Sequence, residues 1–81
     1  MAMTKVEKAS KAFLVRKLAK EGYVTYSKIL LNFDLHLTDD PGTVAYMIPN
    51  KGVITINRTL DADQVSVVCR HEILHQYLKH E

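Results

Sequence analysis

The chain has 81 residues, 47% of them apolar and 25% charged. That is the composition of one small globular domain, and it excludes an intrinsically disordered chain. Eleven lysine and arginine residues against nine acidic residues give a net charge of +2, a balance too slight to indicate nucleic-acid binding. With one cysteine the chain has no internal disulfide, so a bound metal or a partner is the remaining means of stabilising so thin a core.

The same composition bears on location. No stretch is apolar over the roughly 18 residues that a membrane span needs, and the N-terminus lacks the apolar segment of a signal peptide. Cys69 lies in an apolar helical context, as expected of a buried thiol in a reducing compartment. We therefore expect a cytoplasmic protein that does not enter a membrane.

The first predicted element is a helix from Thr4 to about Glu21, because this stretch lacks glycine and proline and has a broad apolar face. Gly22 is expected to end it. The segment Tyr23–Asn32 is compatible with either a second short helix or an irregular structure. The first helix carries a cluster of basic residues that we interpret as its solvated face: Lys5, Lys8, Lys11, Arg16, Lys17 and Lys20.

Two later segments show the period of half-buried strands. Residues 33–38 alternate, with His36 on the side expected to face solvent, and residues 43–48 alternate after a turn. Pro49–Gly52 then predicts a tight reversal and Val53–Asn57 a returning strand, which together indicate a β-hairpin. The sequence therefore predicts an α+β fold with a small, mostly antiparallel sheet of about three strands.

A long helix is predicted to close the chain. Asp61 followed three residues later by Gln64 has the arrangement of a capping box, so Asp61 is interpreted as a cap and not as a metal ligand. The helix that follows is apolar on two nearly opposite faces. We therefore expect it to be central and covered on both sides.

This helix contains the motif HExxH, formed by His71, Glu72 and His75. Residues four apart lie one above the other on a helix, so both imidazoles can reach one tetrahedral ion, with the carboxylate beside it. Zinc held in this way lowers the pKa of its bound water to about 7, and the carboxylate can accept that water's proton during attack on a carbonyl carbon. The spacing thus predicts a hydrolytic zinc site with Glu72 as general base.

The order of helix, strands, hairpin and HExxH helix resembles the zincin metallopeptidases, and more narrowly the compact phage-associated metallopeptidase-like domains and their relatives of the ImmA/IrrE and SprT kinds. The resemblance is specific over about residues 44–81. It implies a zinc peptidase fold with His71 and His75 as ligands, Glu72 as general base, and a strand edge that receives an extended peptide substrate. The alternative is a catalytically inactive zincin-fold module that binds a protein or nucleic acid.

The third ligand of a catalytic zinc is not evident from the sequence. On a regular helix His80 faces away from His71, and Glu81 lies where some zincins place a ligand after a bend, although Leu78 replaces the glycine of that bend. Three explanations stay open: residues 1–81 are a single domain excised from the N-terminal part of a longer protein, a local distortion brings His80 or Glu81 to the metal, or the site is incomplete. The lack of a glycine cap after the last helix favours excision.

Overall fold

A computed structural model describes residues 2–78. These residues form the predicted α+β fold, in which helices cover one face of a small sheet. None of the helices among residues 2–78 is both long enough and apolar enough to cross a bilayer. The elements, in chain order, are α1 (Lys5–Lys20), α2 (Val24–Leu31), β1 (Asp34–Thr38), β2 (Ala45–Ile48), a 3₁₀ turn (Pro49–Lys51), β3 (Val53–Asn57), α3 (Ala62–Glu72) and a π-helical segment (Ile73–Leu78).

The first helix begins and ends where the sequence predicts. Thr4 caps it: the Thr4 hydroxyl oxygen accepts from the Glu7 N–H at 3.1 Å, and the Glu7 carboxylate accepts from the Thr4 N–H at 2.9 Å. Gly22 follows the helix with φ of 94°, a conformation that glycine adopts without strain. The ambiguous segment after it is helical, forming α2, and the Ser27 hydroxyl donates to the Val15 carbonyl at 2.8 Å, which joins the two helices.

The sheet has the strand order β1-β3-β2. The predicted hairpin is confirmed: β2 and β3 pair antiparallel, with Tyr46 opposite Thr55, and Gly52 turns the chain with φ of 67°. β1 lies on the other side of β3 and pairs with it parallel, with His36 opposite Thr55. The three-stranded sheet is therefore mixed, with one parallel and one antiparallel pair. After β1 the chain crosses the end of the sheet to form β2 at the other edge, and β3 then returns between β1 and β2.

The core lies between the sheet and the helices. α1 packs against β1, and α3 packs against β2 and against α1. Because side chains alternate along a strand, the residues between the core positions lie on the opposite face of the sheet. The buried apolar residues that form the core are Leu14, Leu18, Leu30, Phe33, Leu35, Met47, Ile54, Ile56, Cys69 and Ile73.

Glu7 closes the outer edge of β1. Its carboxylate accepts from the Leu37 N–H at 2.9 Å, and His36 Nδ1 lies 3.3 Å from the same carboxylate. The Leu35 N–H donates to the Met3 sulfur at 3.3 Å. The Glu7 carboxylate accepts hydrogen bonds from the N–H groups of Thr4 and Leu37, and these bonds hold the pKa of the carboxyl below its ordinary value. Side chains of the N-terminal segment thus occupy the hydrogen-bonding positions at which another strand would pair.

Asn57 holds the segment that crosses from β1 to β2. Its side-chain N–H groups donate to the carbonyls of Asp40 and Thr43, both at 2.8 Å, and its side-chain oxygen accepts from the backbone and hydroxyl of Thr59. The residue is 6% exposed, so these bonds replace its hydration. One buried amide therefore fixes both the crossing loop and the exit of the chain from β3.

We expect Glu7→Ala to lower the free energy of unfolding by about 2–3 kcal/mol, because it removes half of a capping box and leaves the Leu37 N–H without its acceptor. The pKa of Glu7 is lower in the folded state than in the unfolded state. The ionised carboxylate therefore stabilises the fold at pH values above the unfolded-state pKa, and this stabilisation is lost as the pH falls through the folded-state pKa. Glu7→Gln should therefore lose less stability between pH 7 and pH 3 than the parent does. Urea unfolding followed by circular dichroism measures both effects, and equal pH dependence in parent and Glu7→Gln would contradict this role.

We also expect Asn57→Asp to destabilise the fold by about 2–3 kcal/mol, because the carboxylate cannot donate to the carbonyls of Asp40 and Thr43. Thr59→Val is the matched control: it removes only the hydroxyl hydrogen bond and should cost about 1 kcal/mol. Thermal and urea unfolding of the two variants give the comparison. A smaller loss for Asn57→Asp than for Thr59→Val would mean that the crossing loop does not depend on this amide.

Candidate metal centre

The helix that carries the HExxH motif starts at the predicted cap. The Asp61 carboxylate accepts from the Gln64 N–H at 2.9 Å, and the Gln64 side-chain oxygen accepts from the Asp61 N–H at 3.1 Å. Asp61 lies at the end of α3 remote from the motif, so the interpretation as a cap is confirmed. From this cap the helix runs along β2.

One face of this helix is buried, and the two histidines lie on the other side. Ser66, Cys69 and Ile73 are at most 2% exposed, whereas His71 and His75 are exposed. The prediction that the helix is covered on both sides is therefore wrong for residues 2–78. Apolar side chains next to the histidines suggested a second buried face, but only one side of the helix contacts the sheet and α1.

Contacts to α1 and to the segment after it fix the orientation of α3 about its own axis. The Ser66 hydroxyl donates to the Glu21 carboxylate at 2.9 Å, and Lys17 Nζ lies 3.0 Å from both the Glu21 and Asp63 carboxylates. The Arg70 guanidinium lies 4.1 Å from the centre of the Tyr23 ring, in cation–π geometry. These contacts all lie on the side of α3 that faces α1, so the histidines are directed away from it.

Cys69 behaves as the core residue that the sequence predicts. Its thiol is fully buried, and this burial raises its pKa to about 12. The thiolate is the reactive form of cysteine. Cys69 is therefore an inert packing residue, and neither a nucleophile nor a ready metal ligand.

The backbone changes from α-helical to π-helical within the motif. α3 ends at Glu72, and the π-helical segment begins at Ile73 and contains His75. π-helical turns are rare and occur frequently at functional sites. The Tyr77 ring in this segment packs edge-on against Phe33, with 5.5 Å between ring centres. The second histidine is therefore positioned by a segment that is itself anchored to the start of β1.

The two imidazoles are close enough to share an ion. Their ring centres lie 6.0 Å apart, with an angle of 64° between the ring planes. Two imidazoles on one tetrahedral zinc have ring centres about 5 Å apart, given Zn–N bonds of about 2.1 Å. The observed separation is about 1 Å larger than this, so the spacing of His71 and His75 is compatible with a shared zinc ion. Glu72, the residue between them in the motif, is half-buried.

The described residues bring no third ligand to the two histidines. Among residues 2–78, no group of three histidine, cysteine or acidic residues is arranged to hold a metal ion. His80 and Glu81, the two candidates from the sequence, lie outside the described residues. His36 lies on the far face of the sheet from α3, against Glu7, and does not belong to the site.

The edge of the sheet beside this helix is the outer side of β2. Among the described residues no strand pairs with the outer side of β2. The Asn57 N–H donates to the Val44 carbonyl at 2.9 Å, and this bond fixes the phase of the antiparallel ladder. By alternation, the N–H and C=O groups of Ala45 and Met47 are directed to the outer edge. Both α3 and the π-helical segment contact β2.

Sequence reasoning missed Glu7 and the edge that it closes. The residues Thr4 and Glu7 have the spacing of a capping box, and that signal alone would have located the start of α1. Nothing local to the sequence indicates that the same carboxylate also reaches β1, which lies 30 residues further along the chain.

Comparisons with models of known protein families, with curated protein sequences and with solved structures give no match to this chain.

We expect His71→Ala and His75→Ala, each measured in the presence of a chelator, to change the free energy of unfolding by less than about 0.5 kcal/mol, because both side chains are exposed. Ile73→Ala, in the same motif, should cost about 2–5 kcal/mol, because it empties a fully buried position. Urea unfolding measures all three. A loss above about 1 kcal/mol for His71→Ala would show that this imidazole is a packing residue.

Proposed function

We propose that the protein is a zinc-dependent metallopeptidase-like domain of the phage-associated kind, which hydrolyses peptide bonds with a metal-activated water. The observation that carries this proposal is the pair of exposed imidazoles, His71 and His75, on the helix that lies against the free strand β2. With its single, buried cysteine, the protein suits a reducing compartment, and we propose the cytoplasm.

The roles of the motif residues follow from their chemistry. His71 and His75 would hold Zn²⁺ through neutral imidazole nitrogens. When bound, the ion would supply a Lewis acid that lowers the pKa of a water molecule to about 7. Glu72 would act as the general base towards water and then as the general acid towards the leaving amine. A carboxylate adjacent to the ligands in the motif suits this proton transfer.

The substrate proposed for this site is an extended peptide. A peptide laid antiparallel along β2 would pair with the outward N–H and C=O groups of Ala45 and Met47. On the face of the sheet away from α3, Tyr46 and Ile48 are exposed by 46% and 37% and would contact alternate side chains of that peptide. Pairing through the backbone imposes little sequence preference.

A catalytic zinc also needs a third protein ligand. His80, Glu81 or a residue beyond Glu81 supplies it in this proposal. Zinc held by two imidazoles alone binds weakly, since each lost ligand removes part of the binding free energy. The measured affinity therefore tests whether residues 1–81 contain the whole site.

The second candidate function is a catalytically inactive zincin-fold module that binds another macromolecule. The exposed positive charge of α1 favours it, because a peptidase site on α3 makes no use of this surface. Such a module would retain the fold and would not cleave peptides.

We expect the purified protein to bind one zinc ion per chain, measured by competition with a chromophoric chelator and by elemental analysis. His71→Ala and His75→Ala should each weaken zinc binding by at least about 100-fold. Gln76→Ala, an exposed neighbour outside the motif, is the matched control and should bind as the parent does. His80→Ala and Glu81→Ala identify the third ligand. No binding at micromolar zinc would remove the zincin proposal.

Catalysis is tested separately. The zinc-loaded protein is incubated with a mixture of unstructured peptides, and mass spectrometry detects new termini. Glu72→Gln should reduce the cleavage rate by about 10²–10⁴-fold and leave zinc affinity unchanged. Equal cleavage by Glu72→Gln would show that the role given to Glu72 is wrong. Zinc binding without any cleavage would favour the inactive module.

A further inference from the structure

An open groove of about 520 Å³ lies between α1 and the start of α3. We infer that it binds an acid-rich amphipathic peptide segment of another protein, with apolar side chains of the segment in the groove and its carboxylates on the basic flank of α1. The inference is independent of the proposed peptidase function, because no residue of the HExxH motif lines the groove.

The groove is lined mainly by apolar side chains and lies open at the surface. On the α1 side, Val6 is 61% exposed and Phe13 is 51% exposed, although both are large apolar residues. Leu37, Leu60 and Val65, which are half-buried, line the floor and the opposite side. Its volume is within the range of ligand-binding clefts, and a helix in a groove is a common mode of peptide recognition.

The exposed charge of α1 is entirely positive. Residues 2–31 contain seven lysine or arginine residues and only two acidic ones. Of these two, Glu7 is withdrawn to the edge of β1, where it is 8% exposed. Glu21, which follows α1, is paired with Lys17 at 3.0 Å, and this contact together with the Ser66 hydrogen bond lowers the pKa of its carboxyl. The exposed charged residues of α1 are Lys5, Lys8, Arg16 and Lys20.

Part of this positive charge lies along the groove. At about 100° per residue, Lys20 and Arg16 project within about 60° of Phe13 on one side of the helix, and Lys5 precedes Val6. The exposed surface of α1 next to the groove therefore carries positive charge near both ends of the helix.

The acidic residues on the opposite side are already engaged. Asp61 caps α3, and Asp63 lies 3.0 Å from Lys17. Asp39 lies 2.7 Å from the guanidinium of Arg58. The side chains available to a partner thus combine apolar surface with positive charge.

The combination of apolar surface and positive charge indicates which kind of partner the groove can bind. A second copy would bring the same basic flank against itself, which like-charge repulsion opposes. The phosphates of a nucleic acid would bind the lysines and arginines. They would make no favourable contact with the apolar side chains of Phe13 and Val6. An acidic helix with apolar residues at i, i+3 or i+4 and i+7 satisfies both features.

The test is selection from a random peptide library displayed on phage against the immobilised full chain, followed by fluorescence titration of a selected peptide. Selected sequences should combine acidic residues with apolar residues at helical spacing. Phe13→Ala should weaken the selected peptide at least about tenfold, as for an interface anchor. Val24→Ala is the matched control, because Val24 is 49% exposed on α2 and does not line the groove, and it should bind as the parent does.

Circular dichroism and thermal unfolding of Phe13→Ala serve as the control that the substitution leaves the fold intact. A labelled 20-base-pair DNA duplex is titrated in parallel. Binding of the duplex that depends on salt but not on Phe13 would overturn the inference in favour of a nucleic-acid surface. No enrichment of acidic sequences, or equal peptide affinity for the parent and Phe13→Ala, would also overturn it.

Discussion

The carboxylate of Glu7 constrains the whole architecture. It completes the cap of α1 and accepts a hydrogen bond from the outer edge of β1, so it ties the first helix to the sheet at a fixed position. An unpaired strand edge is a template for another strand, and Glu7 together with Met3 occupies this one. Because β3 is central, the outer edge of β2 is the remaining edge of this sheet, and no described strand pairs with it. Closing the edge of β1 thus leaves the edge of β2, on the other side of the sheet, to accept an extended chain.

The orientation of α3 follows from the same packing. α1 is held against β1, and the contacts from Lys17 and Glu21 to Asp63 and Ser66 then fix α3 beside it, under β2. Cys69 and Ile73 fill the core, so the residues two positions away, His71 and His75, lie on the exposed side. The histidines are therefore placed by hydrophobic burial of their neighbours. Since they contribute little to that burial, they remain available to bind a metal ion.

The two ends of α3 serve two different surfaces. Its C-terminal end and the π-helical segment after it carry His71 and His75 beside the outer edge of β2, whereas its N-terminal end forms one side of the apolar groove along α1. Withdrawal of Glu7 and neutralisation of Glu21 leave the α1 flank of that groove positive, although the chain as a whole has a net charge of only +2. Net charge alone conceals this separation, because the acidic residues of the sheet and of α3 balance the lysines of α1.

The sequence by itself determined the local features: the first helix from about Thr4 to Gly22, the cap at Asp61, the hairpin around Gly52, and the spacing of the HExxH motif. Each depends on hydrogen bonds or side-chain periodicity within a few residues, which a linear pattern records. Only the tertiary structure decided that the last helix is covered on one face, that the sheet is mixed, and that Glu7 closes β1. These depend on contacts between residues 19 to 47 positions apart, and the same apolar pattern on a helix is compatible with burial on one side or on two. The number of structural elements that pack against the helix decides between these two arrangements.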